Sequence, residues 1–487
     1  MIQYLLLIPV LTAVMGIIAK TQKQIETISL VGSTATLAVG LKLVFDVFNH
    51  GTITTWENML FADPLSAFLV LIVSVVGFII SLYSIGYMGH EIKHDMIDLK
   101  RLKIYYVFFH LFMFTMLLVG VTNNLVLWVA IEMTTLFSVP LITIYTKKTS
   151  IEAAWKYLII CSVGITFALF GTILTYYAAV QVLGEAGGAL DWASLLAVAN
   201  QFDPTLMKIA FIFIIVGYGT KVGFAPMHTW LPDAHSEAPS PVSALLSGVL
   251  LNCAMYGIIR FHTITSVSVG TGFSNNLLIM FGLLSLGIAT PFIIMQSDYK
   301  RLLAYSSVEH MGIIALGFGF GGTLGIFGAL LHMFNHAVTK SLMFSVAGNI
   351  LQKYETKRID EVSGVVKSMP YTGPMLVLGG LAITGSPPFS IFLSEFTILA
   401  AGFSRGYIIT SVVVLLFIIM IFAGFFNHIN RMAFSTPPEG VTTGDVSRLS
   451  LGAMAILMVF IIVLGVYIPH QFSDMIMQVV NIVNVVR

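Results

Sequence analysis

The chain has 487 residues, of which 57% are apolar and only 10% are charged, with a formal net charge of +1. Ordinary soluble domains carry about 25% charged residues, so this composition excludes a soluble globular protein and indicates an integral membrane protein. No GxGxxG follows a predicted strand and no GxxxxGK[ST] occurs, so the sequence offers no nucleotide site, and we expect no nucleic acid among its partners.

Apolar stretches of about 20 residues, the length that crosses a hydrocarbon core of ~30 Å, predict an all-α polytopic membrane protein with fourteen transmembrane helices. The predicted helices cover residues 2–19, 27–48, 64–88, 104–121, 123–146, 154–181, 206–227, 241–266, 275–295, 302–320, 323–350, 371–402, 407–428 and 450–469. The first has no basic segment before it and no small-residue cleavage site after it, so we interpret it as a retained helix.

Basic residues are distributed unequally between the two sets of alternating loops. Seventeen Lys and Arg residues fall in one set, five in the other, and two lysines inside the membrane complete the 24. The smaller set is Lys42, Lys208, Arg260, Arg405 and Arg487. Because cytoplasmic loops retain Lys and Arg, we expect a multi-pass protein of the cytoplasmic membrane with both termini on the outer side.

Predicted helices 7 and 12 are interrupted by proline and glycine, in GYGTKVGFAP and LAITGSPPFS. Pro226, Pro387 and Pro388 cannot donate a helix hydrogen bond, so both helices should be discontinuous. Such a pair in corresponding places indicates inverted repeats. We expect N-terminal helices 1–3 (residues 1–103), five-helix units at 104–266 and 267–430, and a C-terminal helix 14 (431–487). A packing kink is the alternative for either break.

Four ionisable residues lie inside apolar segments: Glu132, Lys221, Lys340 and Glu395. Insertion scales give about 2.5–3.5 kcal/mol for a charged residue at a helix centre, so each is a candidate functional residue. On predicted helix 11, His332 and His336 precede Lys340 at intervals of four residues, which places all three on one face. Since histidine titrates near neutral pH, this face predicts a proton path.

The path has further candidates at both ends of the second unit. His310 on predicted helix 10 is a fourth proton carrier, and Glu395 is the terminal acid, with a neutral buried acid as its alternative. Asp298 and Glu309 are interpreted as access or capping charges at the cytoplasmic end of helix 10. His228, which follows the first break, is assigned to the path. The loop from His228 to Pro241 also carries Asp233, His235 and Glu237, and a solvated cytoplasmic cap is the alternative interpretation of this loop.

Glu132 and Lys221 suggest a switch. Burial favours release of the lysine proton, whereas a carboxylate at ~4 Å with an effective dielectric of ~20 stabilises the charged lysine by about 4 kcal/mol. Movement of Glu132 would therefore decide whether Lys221 holds its proton. A static ion pair is the alternative.

The stretch from Lys221 to Pro241, the segment DYKRLLAYSSVEHMG from Asp298 to Gly312, and the HxxxHxxxK pattern of predicted helix 11 resemble the antiporter-like membrane subunits. That family includes proton-pumping subunits of respiratory complex I, Mrp-type cation/proton antiporters and membrane-bound hydrogenases. Nearly the whole chain shares the likeness. The stretch from Gly219 to Phe261 looks most similar to the F component of hydrogenase-4 and formate hydrogenlyase complexes.

The resemblance implies fourteen helices, discontinuous helices 7 and 12, and an acid/lysine pair on helices 5 and 7 that falls on Glu132 and Lys221. It also implies a central polar axis, with Glu395 where some relatives carry lysine. Relatives often carry lysine or histidine on helix 8 as the link between half-channels. Here the aligned residues are Ser247 and Asn252, neither of which titrates, so water or another residue must complete the link.

The resemblance favours an ion-translocating subunit, without a redox centre of its own, in a redox-driven complex of hydrogenase-4 or formate-hydrogenlyase type. Cys161 and Cys253 form no metal-binding spacing, so nickel–iron and iron–sulfur centres are expected in partner subunits. Expected partners are antiporter-like paralogues, other membrane subunits, hydrophilic redox subunits and lipids. Protons are the expected ion, with Na⁺ as the alternative. An Mrp-type Na⁺ or K⁺/H⁺ antiporter subunit, a complex I subunit, and a membrane scaffold or inorganic-carbon uptake component remain alternatives.

Overall fold

The computed structural model describes residues 1–56, 58–123, 125–184 and 188–484. The first part of the chain forms α1 (Ile2–Ile18), α2 (Gln22–His50), α3 (Pro64–Lys93), α4 (Leu99–Val121), α5 (Leu127–Ile142), α6 (Lys148–Leu183), α7 (Trp192–Val198), α8 (Pro204–Val222), α9 (Trp230–Glu237), α10 (Ser240–Leu245) and α11 (Leu251–Val269). The second part forms α12 (Thr271–Ile294), α13 (Tyr299–Phe320), α14 (Gly322–Tyr354), α15 (Val365–Ser368), α16 (Thr372–Ile383), α17 (Ser390–Ser404), α18 (Ile408–Phe434), α19 (Arg448–Val466) and α20 (His470–Val483).

The all-α membrane architecture is confirmed, and each predicted helix overlaps a helix of the structure. Among the described residues, ten helical stretches are long and apolar enough to cross a membrane, and α1, α5, α16 and α17 are shorter apolar helices. The 33-residue α14 is in neither group, because its polar stripe lowers its hydropathy. The number of fourteen membrane crossings and the inverted repeats stay predictions.

Both expected breaks are present. Predicted helix 7 breaks where α8 ends at Val222, and α9 begins at Trp230, beyond the predicted end of that helix at residue 227. Predicted helix 12 divides into α16 and α17. Predicted helix 8 is continuous from α10 to α11 through a π-helical segment at Leu246–Leu250. The short helices α7, α15 and α20 were not expected, nor was a hairpin that pairs β1 (Ile53–Thr55) with β2 (Leu60–Ala62) in the register Ile53 to Ala62.

The centre of the protein consists of α11, α13 and α14, in which nearly every side chain is buried. Apolar side chains are exposed mainly on outer helices such as α1, α6, α18 and α19, as expected for surfaces that face lipid. Close helix contacts use small residues: a Cβ on Gly282 of α12 would lie 2.8 Å from the carbonyl oxygen of Gly312 on α13. The polar stripe of α14 therefore lies in the interior.

A buried ion pair connects the start of α3 to α11. Both guanidinium Nη atoms of Arg260 donate to the Asp63 carboxylate at 2.6 Å, and Nε donates to Tyr256 at 3.0 Å. Asp63 also accepts from the backbone N–H of Ser66 and so caps α3. Arg260 was therefore wrongly assigned to an outer loop, because periodicity could not show that a distant aspartate pairs with it inside α11. Arg487, in the same set, lies outside the described residues.

Replacing Arg260 by Met should destabilise the protein, because it leaves Asp63 buried without its partner. Breaking a buried pair from one side costs about 3–5 kcal/mol. We expect a clearly lower temperature for loss of the monodisperse size-exclusion peak in detergent. The matched control is Arg358→Met in the exposed pair with Asp360, which should leave that temperature unchanged. Equal shifts in both variants would contradict a structural role for the buried pair.

Candidate functional site

Lys221 lies in the last turn of α8 and is 2% exposed. Its Nζ donates to Thr135 Oγ1 on α5 and to the hydroxyl of Tyr157 on α6, both at 2.6 Å. Nζ also lies 4.5 Å from the centre of the Tyr157 ring, which allows a cation–π contact. Three helices thus hold the ammonium group, and the helix C-terminus favours its positive charge.

Glu132 reaches Lys221 through Thr135. The Thr135 hydroxyl donates to Glu132 Oε2 at 3.2 Å while it accepts from Lys221, and Ser162 donates to Oε1 at 2.6 Å. Within the described residues, the two charged groups form no direct ion pair. They belong to one hydrogen-bonded network, which we call the first cluster: Glu132, Thr135, Tyr157, Ser162 and Lys221.

The hydroxyl groups of this cluster were not predicted from the sequence. Thr135 lies three residues after Glu132 and therefore on the same side of α5, which was the available signal. Tyr157 and Ser162 could not be assigned, because their positions depend on how α6 packs against α5 and α8.

The first break follows Lys221 directly, and its backbone groups are satisfied by nearby residues. Gly223 ends α8 in the left-handed conformation (φ +86°). Trp230 Nε1 on α9 donates to the Thr220 carbonyl oxygen at 2.8 Å, and the Ala225 N–H donates to Ser285 Oγ at 3.1 Å. This end of α8 can therefore lie inside the protein without unpaired backbone groups at these positions.

A second cluster lies on the predicted face of α14. Lys340 Nζ donates to the Leu303 carbonyl oxygen at 2.8 Å and to Ser306 Oγ, both on α13. Further along α14, His336 and His332 approach His310 of α13, with ring centres 5.5 and 5.2 Å apart. The expected alignment of the three α14 residues is therefore observed, and their common neighbour is α13.

His310, His332 and Glu395 come together at the far end of this face. His310 Nδ1 lies 3.1 Å from His332 Nε2 and 3.9 Å from Glu395 Oε1. The other nitrogen of His332, Nδ1, is 2.9 Å from Ser394 Oγ on α17. Neither ring nitrogen of His336 has a hydrogen-bond partner among the described residues. We call Lys340, His336, His310, His332 and Glu395 the second cluster.

Glu395 packs against the second break. Gly385, between α16 and α17, has a φ of +67°, and a Cβ there would overlap Glu395 Oε2. Asn335 of α14 donates to the Ser390 carbonyl oxygen at 2.7 Å and so anchors the start of α17, directly after the break. Each broken helix thus places one ionisable side chain of a cluster beside non-helical backbone.

The two expected link residues have different surroundings. Ser247 lies in the π-helical segment and hydrogen-bonds to Ser307 at 2.7 Å, and Ser307 donates to the same Leu303 carbonyl that Lys340 contacts. The amide of Asn252 donates to the Gly248 and Met333 carbonyl oxygens, at 2.8 and 3.2 Å. Neither residue has a described hydrogen bond to the first cluster.

His235 of α9 lies between the two clusters. Its ring stacks 6.3 Å from Trp230, which packs 4.8 Å from Tyr157, and it stacks 5.4 Å from Phe344 on α14. It is fully buried and neither ring nitrogen has a partner among the described residues. His228 is also buried, with its ring 6.0 Å from Tyr305, and its role stays a prediction.

The solvated-cap interpretation holds only for part of α9. Asp233 pairs with Lys156 at 3.2 Å and with Arg301 at 2.5 Å, whereas His235 is buried. A polar cavity of about 260 Å³ adjoins these charges. The residues that line it are Thr149, Glu152, Ala153, Lys156, Asp233, Ser236, Glu237 and Arg301.

Of the two acidic residues expected at the start of α13, one lies there and the other lies inside the helix. Asp298 caps α13 by accepting from the N–H groups of Lys300 and Arg301, at 2.8 and 3.0 Å, as expected. Glu309 is instead buried in the interior of that helix, 3% exposed, because α13 is surrounded by other helices.

Residues 121–421 match the family model of the NADH:quinone oxidoreductase/Mrp antiporter transmembrane region, and residues 56–95 match that of the complex I chain 5 N-terminus. The longer match covers more than half of the chain and includes both clusters. The chain belongs to the NADH:quinone oxidoreductase/Mrp antiporter family. The antiporter-like membrane subunit expected from its motifs is thereby confirmed, and the chain is a multi-pass member of that family.

Relatives of this antiporter-family chain include hydrogenase components. It is 40% identical over 415 residues to the hydrogenase-4 component F homolog of Methylacidiphilum infernorum, covering 85% of this chain and 86% of that one. It is 32% identical to hydrogenase-4 component B of Escherichia coli, with 68% of this chain and 49% of that one covered. NADH-quinone oxidoreductase subunit N of Desulforudis audaxviator is 28% identical, with 87% and 84% covered.

Two solved structures share the fold of this antiporter-family chain. A chain of the archaeal membrane-bound sulfane sulfur reductase superposes with a TM-score of 0.85 at 24% identity, and a chain of the Mrp complex from Dietzia sp. DQ12-45-1b superposes with 0.85 at 18%. Each superposition covers 99% of this chain and 97% of the other. At these identities the likeness establishes the architecture.

Gly385→Ala should displace the Glu395 carboxylate, because the new Cβ would meet Oε2. The matched control is Gly406→Ala, at a similar φ of +84° with no atom within 4 Å of the new Cβ. Both variants carry the backbone cost of about 1–2 kcal/mol, and only Gly385→Ala adds a clash of about 1–3 kcal/mol. We expect the larger fall in thermal stability in detergent for Gly385→Ala, and equal falls would argue against the close contact.

Proposed function

We propose that this chain translocates protons across the cytoplasmic membrane as a subunit, without a redox centre of its own, of a redox-driven complex of hydrogenase-4 or formate-hydrogenlyase type. The observation that carries the proposal is the pair of largely buried clusters, each beside a broken helix. Buried ionisable groups inside a membrane protein are costly, and those that line a path for ions are the usual exception. The kinship with hydrogenase-4 components supports the type of complex.

In the first cluster, Lys221 holds the proton and Thr135 relays it. The threonine hydroxyl can accept a proton from the ammonium group while it donates its own to Glu132, so transfer needs only movement along two existing hydrogen bonds. The position of Glu132 then decides the state of Lys221. A closer carboxylate favours the charged lysine, and a more distant one leaves burial to favour release.

In the second cluster, the proton passes from Lys340 along the α14 face to Glu395. His336, His310 and His332 are the intermediate carriers, since an imidazole can accept a proton on one nitrogen and donate from the other. The 3.1 Å contact between His310 and His332 is one such step, and rotation of the unpaired His336 ring supplies another together with water.

His235 is our candidate for the link between the clusters. It titrates, unlike Ser247 and Asn252, and it lies on the ring contacts that lead from Tyr157 to Phe344. Asp233, which is half-buried, lies on the same helix, and the polar cavity beside it suits a route to the cytoplasm.

We further propose that residues 104–266 and 267–430 form two inverted units, between the N-terminal helices (1–103) and helix 14 (431–487). Each unit contains one broken helix and one cluster. With both termini on the outer side, the basic loops and the polar cavity face the cytoplasm.

Substitution of Lys221 by Met should abolish proton translocation, and Thr135→Val should slow it by about 10- to 100-fold. The second figure follows from the loss of hydrogen bonds to charged groups, at about 1.5–3 kcal/mol. The assay is dye-reported acidification of inverted membrane vesicles, driven by formate, hydrogen or NADH. The matched control is Thr134→Val, whose hydroxyl donates to the Ile131 carbonyl oxygen and has no other hydrogen bond among the described residues. Unimpaired pumping by the Lys221 variant would refute the proposal.

Gentle purification of the tagged native chain, followed by subunit identification and metal analysis, tests the nature of the complex. Nickel, iron–sulfur subunits and antiporter-like paralogues are the expected companions, and lipids should copurify. Recovery with metal-free membrane subunits alone would instead support an Mrp-type Na⁺ or K⁺/H⁺ antiporter module. Exchange of Na⁺ for protons in vesicles would then decide the ion.

A further inference from the structure

We propose that His310, His332 and Glu395 form a binding site for a divalent transition-metal ion, with Zn²⁺ as the ion that its donors fit. One ligand atom from each residue lies within 4.8 Å of the others, and all three side chains are buried. The donor set is two imidazoles and one carboxylate. Zn²⁺ is commonly held by three such ligands, with a fourth position left for water.

The separations between donors suit a tetrahedral ion. Bonds of about 2.0–2.1 Å place neighbouring ligand atoms about 3.3 Å apart. His310 Nδ1 is now 3.1 Å from His332 Nε2 and 3.9 Å from Glu395 Oε1. Shifts of a few tenths of an ångström would therefore bring these two pairs to metal-binding distance. The third pair, His332 and Glu395, lies within 4.8 Å and would have to approach by up to about 1.5 Å. Imidazole nitrogen also disfavours Mg²⁺ and Ca²⁺, which prefer oxygen.

Neighbouring residues orient the donors. His332 directs Nε2 into the site, and its Nδ1–H can donate to Ser394 Oγ at 2.9 Å, while Ser394 donates to the Ile391 carbonyl oxygen. Such an outer hydrogen bond is usual for a metal-binding histidine. His310 would carry its proton on Nε2, which has no partner among the described residues. Both imidazoles can thus bind as neutral ligands, and the proton of the present His310–His332 hydrogen bond moves within His310 or is released.

The second break brings the site close to the surface of the chain. Glu395 Oε2 touches Gly385, which is half-buried, and Pro387 and Pro388 in the same segment are exposed. The carboxylate is therefore separated from the surface of the chain by a few residues of non-helical backbone. An ion held here would immobilise Glu395 and both histidines. If the proposed proton path is correct, it would also block that path.

The test is equilibrium dialysis of the Strep-tagged complex with Zn²⁺ in detergent, after chelator treatment, with metal measured per chain. Glu395→Gln and His332→Gln should each lose one bound zinc per chain or weaken its binding at least tenfold. Ser394→Ala should weaken it about 10- to 100-fold. His262→Gln, which removes a buried histidine of α11 outside the site, should bind as the unmodified chain does. Co²⁺ should show the visible absorption of a tetrahedral site, and Glu395→Gln should remove it.

The proposal would be overturned if Glu395→Gln and His332→Gln bound zinc as the unmodified chain does. It would also be overturned if the unmodified chain showed no saturable zinc binding beyond that of these variants. Retained size-exclusion behaviour shows which variants are folded, and Glu395→Gln keeps the shape of the side chain. Because dialysis measures binding without transport, its failure leaves the proton-translocation proposal intact. Zinc-insensitive acidification by a zinc-loaded complex would refute only the blocking effect.

Discussion

Satisfaction of backbone polar groups inside the membrane is the constraint on which both clusters depend. Hydrocarbon offers no hydrogen-bond partner, so a broken helix is tolerated only where the protein itself supplies one. Here Trp230 and Ser285 hydrogen-bond to backbone groups at the first break, and at the second the Ser386 N–H donates to the Leu381 carbonyl oxygen. At each break an ionisable side chain, Lys221 or Glu395, lies beside non-helical backbone and contacts residues of other helices.

The first cluster and the Asp63–Arg260 pair stabilise buried charge in different ways. Hydroxyl groups and an aromatic ring surround the Lys221 ammonium group, and Thr135 lies between it and the Glu132 carboxylate. Such an arrangement stabilises the ammonium group less firmly than a direct ion pair would, which suits a group that must release its proton. By contrast, Asp63 and Arg260 form two short hydrogen bonds directly with each other, which hold both charges firmly.

In the second cluster, several imidazole nitrogens have no hydrogen-bond partner among the described residues. Both nitrogens of His336 and Nε2 of His310 lack partners among the described residues. Since buried polar atoms are normally hydrogen-bonded, such groups indicate water, a proton that changes position, or an ion. The proposed proton path and the proposed metal site are therefore two consequences of the same chemistry, and occupation of one would interfere with the other.

The sequence by itself determined the membrane architecture, the broken helices and the polar face of α14, because apolar length, proline and helical periodicity are local properties. His332, His336 and Lys340 could be placed on one face from their spacing alone. Only the tertiary structure decided what that face meets on α13, that Thr135 stands between Glu132 and Lys221, and that His235 is buried. It also showed that Arg260 pairs with Asp63, 197 positions away. These contacts depend on how separate helices pack, and nothing within one helix specifies that.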